Sequence, residues 1–165
     1  MLMQLMANER AATVGPVLPG PDWKAFWNNY PGFDDENNLS LVLSLNLHGR
    51  VFLFPGDLEA VGWKHLLQSL PSFREVVKTT TVLVAAHHGR ESGLCTELFD
   101  NYGCSPRLVV ISDDYHQYDT QKTCSYYKSK TLGIDYFRSQ GKRWVLTTRS
   151  DRNVSMTSRH LLSRD

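Results

Sequence analysis

Between residues 38 and 54 the chain alternates. Leu39, Leu41, Leu43, Leu45 and Leu47 are separated by Ser40, Val42, Ser44 and Asn46, a period of two that predicts a strand over residues 39–47. His48-Gly49-Arg50 predicts a turn, and Val51-Phe52-Leu53-Phe54 the returning strand of a hairpin with one face buried, the leucine face. After Pro55-Gly56-Asp57 the period lengthens: Leu58, Val61, Leu66, Leu67 and Leu70 fall at helical spacing, and Pro71 reads as the stop. A third strand is expected over residues 81–85, running into Ala86-His87-His88-Gly89, with a short helix over residues 95–102. A further apolar strand, residues 108–111, ends at Ser112-Asp113-Asp114; residues 121–130 look helical up to Gly133. The last elements expected are strands over residues 144–148 and 154–156 around a turn at residues 150–153. The order β-β-α-β-α-β-α-β-β predicts an α/β fold in which a layered β-sheet is covered by helices.

The first 36 residues have a different texture. Gly15, Pro16, Pro19, Gly20, Pro21, Pro31 and Gly32 punctuate a loosely structured N-terminal arm. Its one helical candidate is residues 22–28, with Asp22 as cap and Trp23, Phe26 and Trp27 on one side. The main domain is expected over residues 37–157 and a polar tail over residues 158–165.

Composition narrows the function. With 165 residues, 41% hydrophobic and 21% charged, the chain can bury roughly 70% of its unfolded surface, so it needs neither metal nor disulfide merely to make a core. A formal net charge of +1 argues against holding nucleic acid by electrostatics alone, while leaving phosphodiesters open as substrates. Cys95, Cys104 and Cys124 have no zinc-finger spacing and are expected to be reduced. The apolar start is broken by Asn8, Glu9 and Arg10, and no run approaches the ~18 residues of a membrane span. A cytoplasmic chain with no membrane segment is expected.

Three strands each end in a polar loop: Phe54 into Gly56-Asp57, Ala85 into His87-His88-Gly89, and Ile111 into Ser112-Asp113-Asp114. Strand ends on one edge of a sheet are where α/β folds assemble sites, because loops converge there while the sheet holds them. Carboxylate with imidazole suits Zn²⁺ or Mn²⁺. Asp57 alone would read as a turn or helix cap, and either His87 or His88 can be the one that faces a shared site. His116, in the polar loop with Asp113, Asp114, Tyr115 and Asp119, is a further candidate; His48, His65 and His160 read as surface residues.

These residues carry a resemblance. Asn37-Asn38-Leu39-Ser40-Leu41-Val42-Leu43, then VFLFPGDLE at residues 51–59 and TVLVAAHHGRESG at residues 81–93, resemble the metallo-β-lactamase-fold hydrolases, in particular the ComEC-type branch associated with DNA uptake. The similarity continues through Val110-Ile111-Ser112-Asp113, Tyr118-Asp119-Thr120-Gln121 and VLTTR at residues 145–149. It implies a metal-dependent hydrolase of phosphodiester or related ester bonds. Asp57 would bridge two Zn (or Mn) ions, His87 or His88 would complete a metal shell, and Asp113, Asp114 and His116 would line the substrate pocket. The family's other half-domain carries an H-x-H-x-D-H motif that these 165 residues lack; residues 1–36 contain no histidine. The resemblance therefore covers only the second half of an αββα sandwich, and implies a partner supplying the missing half. Three classes follow: a hydrolase, an incomplete half-domain serving in binding or assembly, and a nucleic-acid module without chemistry. The last is disfavoured because Tyr126, Tyr127, Tyr136 and Phe137 alternate like helix and core faces rather than a stacking platform.

Overall fold

The computed structural model describes residues 20–27, 35–113, 122–135 and 141–148. Six strands form one sheet in the order β1 (Asp22–Trp27), β2 (Leu41–Leu47), β3 (Arg50–Phe54), β4 (Thr80–Val84), β5 (Leu108–Ile111) and β8 (Val145–Thr147). β2 runs antiparallel to both its neighbours, while β3, β4, β5 and β8 pair in parallel. The fold is mixed α/β, as the alternation of strand and helix patterns predicts. A separate two-stranded ribbon joins β6 (Ile134–Asp135) to β7 (Lys142–Arg143).

Four helices lie among the described residues: α1 (Ala60–Ser69), α2 (Pro71–Thr79), α3 (Thr96–Asp100) and α4 (Cys124–Lys130). They bury Trp63, Leu66 and Leu67, Phe73 and Val77, Leu98, and Tyr127 in one core with Phe26, Val42, Leu53, Leu83, Val109 and Ile111 of the sheet. These sheet residues share one side of the pleat, so the helices form a single covering layer.

Three expectations change. Residues 22–27 form the edge strand β1 instead of a helix, because DWKAFW also has a period of two and β2 offers it a ladder, Phe26 opposite Val42 and Trp27 opposite Leu41. Phe26 is held there by an edge-on contact with Phe73, ring centroids 5.0 Å apart. Pro71 begins a second helix as well as ending the first, since the missing N–H of proline costs nothing in a first turn. The leucine face of β2 is also not the covered one. Val42 and Ser44 are buried under the helices, while Leu41 is 56% exposed. Registers Trp23–Leu45, Leu45–Phe52, Phe52–Val82, Val82–Leu108 and Val110–Leu146 carry the same apolar side across all six strands.

No helix among the described residues is long and apolar enough to cross a membrane. The expected strand over residues 154–156, the tail at 158–165, Asp114, His116 and His160 lie outside the described residues.

Candidate metal centre

β3 and β4 are neighbours at the middle of the sheet, and the loops leaving their C-terminal ends are tied together. Gly56 turns the chain at φ +64, and its carbonyl accepts the His87 amide at 3.0 Å. His87, His88 and Gly89 then take φ values of 48, 55 and 74, three left-handed residues in succession. Two of the three are not glycine, a conformation that surrounding contacts have to enforce. Those contacts are present: Thr123 Oγ1 donates to the Gly89 carbonyl at 2.6 Å, and the Arg90 amide to the His87 carbonyl at 3.0 Å.

This backbone separates the two histidines. His87 turns inward, its Nδ1 3.0 Å from Ser92 Oγ and 3.3 Å from Glu59 Oε1, and its Nε2 3.0 Å from Arg90 Nη1. A guanidinium only donates, so Nε2 accepts and the Nδ1 proton goes to Ser92 and Glu59. Both ring nitrogens are engaged within the protein. His88 turns outward, half-exposed, with Nε2 3.4 Å from Asp57 Oδ1. Its Nδ1–H donates to the Ser112 carbonyl at 2.7 Å. The structure thus brings His88 to Asp57 and sends His87, the other candidate, into a part-buried polar network.

Ser112 and Asp113 follow β5 and join His88 and Thr148 around a cavity of about 310 Å³. Asp113 is buried, and Thr148 Oγ1 donates to its carbonyl at 2.6 Å. Thr148 was missed in the sequence, although it directly follows β8, a strand end like those that lead to Asp57 and Asp113. Glu59, Ser92 and Arg90, which fix His87, had no periodic signal to reveal them.

The donor pair fits a divalent ion. Two ligands at Zn–N and Zn–O lengths of about 2.0–2.1 Å sit about 3.3–3.4 Å apart along a tetrahedral edge, which is the Asp57–His88 separation. A carbonyl on the far nitrogen is how metal-binding imidazoles are usually oriented. Among the described residues, however, no group of three or more His, Cys, Asp and Glu side chains stands close enough to share an ion. Comparison with protein-family models, with curated proteins and with solved structures finds no match to this chain.

Proposed function

We propose that this chain supplies part of a metal-dependent hydrolase of the metallo-β-lactamase fold and ComEC type, acting on phosphodiester or related ester bonds. The single observation that supports this is the 3.4 Å pairing of Asp57 with His88 beyond the C-terminal ends of the parallel strands β3 and β4, beside a cavity that Asp113 and Thr148 share. Asp57 and His88 would hold a Zn²⁺ or Mn²⁺ ion, Ser112 would orient the imidazole, and the cavity would admit the ester. A bound ion would supply Lewis acidity toward the ester oxygen and a lowered water pKa. Two donors leave an ion mostly hydrated and loosely placed, so the remaining ligands belong to a surface packed against the uncovered side of the sheet.

The isolated chain is therefore expected to be inactive toward bis(p-nitrophenyl) phosphate and single-stranded DNA with Zn²⁺ or Mn²⁺. Turnover is expected after mixing with a polypeptide that carries the H-x-H-x-D-H half. Asp57→Ala should abolish zinc binding while leaving the circular dichroism spectrum intact, since a half-exposed strand-end carboxylate contributes little to the core. Unchanged zinc stoichiometry in that variant would refute the pairing. Robust chelator-sensitive turnover by the isolated chain would show that it needs no partner.

The second reading, a half-domain used for binding or assembly, is favoured by the uncovered apolar side of the sheet, and metal-free protein would leave it standing alone.

A further inference from the structure

At the end of the sheet remote from Asp57 and His88, β3, β4 and β5 begin around a groove of about 380 Å³. Its floor is Phe52, Val82 and Leu108, neighbours in register across the three strands. The β6–β7 ribbon supplies a wall through Ile134 and Asp135, and Arg50, Thr81 and Arg107 complete the lining. Among the described residues neither guanidinium has a hydrogen bond or an ion pair, and the Asp135 carboxylate has none either.

The backbone brackets Thr81 with the two arginines. Val51 pairs with Thr80 and Phe52 with Val82, so Thr81 is the extra residue of a β-bulge, an irregularity that re-aims side chains and often stands next to sites. Its Oγ1 accepts the Val51 amide at 3.2 Å, one residue from Arg50, and its carbonyl accepts the Arg107 amide at 2.8 Å. Accepting an N–H uses only a lone pair, so the Thr81 hydroxyl keeps its own proton to donate. β3 and β5 lie two strand spacings, about 10 Å, apart. An arginine side chain is longer than half of that gap, so both guanidiniums can reach one group beside Thr81.

We propose that this groove binds a small organic carboxylate, its anionic oxygens held by Arg50, Arg107 and the Thr81 hydroxyl and its apolar body laid on Phe52, Val82 and Leu108. The inference does not depend on metal at Asp57 and His88. The arginine fork matches a carboxylate with two parallel hydrogen bonds. Charge then selects among anions. Two guanidiniums against the one carboxylate of Asp135 leave a single positive charge in the groove, which a monoanion neutralises. A phosphate monoester, carrying about −1.5 to −2 at neutral pH, would set excess negative charge beside Asp135. Small-ligand cavities run from about 300 to 1,000 Å³, so a groove at the low end of that range suits a single ring or a branched chain and not a nucleotide.

Titration of the isotope-labelled full chain with benzoate, followed by amide chemical shifts at low salt, tests the site. Benzoate should saturate with a dissociation constant on the order of 1 mM, as a ligand of that size allows, and should move the amides around Phe52, Val82 and Leu108, not those around Asp57 and His88. Benzamide, which lacks the charge, acetate, which lacks the apolar body, and phenyl phosphate should each bind at least about fivefold more weakly. Arg50→Gln and Arg107→Gln, both at exposed positions, should fold and weaken benzoate by a similar factor. Asp135→Asn should strengthen it, and Lys24→Gln, an exposed cation of β1 outside the groove, should change nothing. Absence of saturation, benzamide bound as tightly as benzoate, shifts centred elsewhere, or an arginine variant that binds like the wild type would each overturn the site. Phenyl phosphate bound more tightly than benzoate would overturn the choice of a carboxylate.

Discussion

Gly93→Ala is the most informative single methyl in this fold. Gly93 ends the 3₁₀ turn Glu91–Gly93, and its carbonyl accepts the Trp63 indole N–H of α1 at 3.2 Å. A Cβ there would lie 2.6 Å from the Ala86 carbonyl oxygen and 2.9 Å from both the Ala86 carbonyl carbon and His87 Cβ. Carbon atoms do not pack that closely, and the obstacle is backbone, so the turn or the Ala86–Gly89 segment has to move by several tenths of an ångström. Overpacking of this kind costs about 1–3 kcal/mol, and a chain of this size loses about 2–4 °C of Tm per kcal/mol.

The displaced segment is the one that carries His88, so the same methyl should disturb the 3.4 Å approach to Asp57. Metal–ligand distances tolerate only about 0.2 Å, and supporting residues of metal sites cost about 10–100-fold in affinity when altered. Thermal melts in EDTA and zinc competition in parallel should show both losses. Gly20→Ala, where an added Cβ meets nothing within 4 Å, is the control and should change neither. A Gly93→Ala chain with wild-type Tm and wild-type zinc affinity would refute the claim that this packing positions the histidine.

The remaining predictions are these. His87→Ala should destabilise the chain by about 1–2 kcal/mol, because it removes the buried imidazole whose two nitrogens join Ser92, Glu59 and Arg90; His88→Ala should lose zinc with a nearly unchanged melt. Phe26→Ala should cost about 3 kcal/mol by leaving a void against Phe73, and should speed amide exchange in β1 before the rest of the sheet. Burial pushes the Cys104 thiol up to about 12 and raises Cys95 as well, so at neutral pH a thiol reagent should label exposed Cys124 much faster than either. The same burial sets a pH dependence. Unfolded thiols ionise above about 8.5 while the folded ones keep their protons, so this stability is complete below that pH and fades as pH rises toward 12, read as falling denaturation midpoints.

Much of this was legible in the residues. Leu108–Ile111 is a strand with the expected bounds, since four apolar β-favouring residues between polar loops admit little else. DWKAFW was ambiguous because six residues satisfy both a period of two and an i, i+3, i+4 pattern; the free edge of β2 decided it, and no local rule contains that edge. The two-residue strands Ile134–Asp135 and Lys142–Arg143 are too short to carry a period. At the site, the rule that loops converge at strand ends found Asp57, His88 and Asp113 together. It left the two histidines unresolved because their divergence comes from a left-handed backbone that Thr123 and Arg90 enforce from elsewhere in the fold.

The leucines of β2 carry the rest of the argument. Alternation normally marks the apolar residues as the buried set, and by that rule Leu41, Leu43, Leu45 and Leu47 should face a core. In this chain they face outward, and it is Val42 and Ser44 that lie under the helices, Ser44 only 5% exposed. A register slip of one residue would exchange the two sets, yet Phe26 and Leu53 lock the present register from both neighbouring strands. The sequence pattern and the fold agree only if both sides of the sheet are interiors, one covered by this chain's helices and the other by a second apolar surface. That requirement comes from residue positions alone and holds whether or not Asp57 and His88 bind metal. Because the same side reaches the edge where those two residues stand, whatever covers it also closes the site.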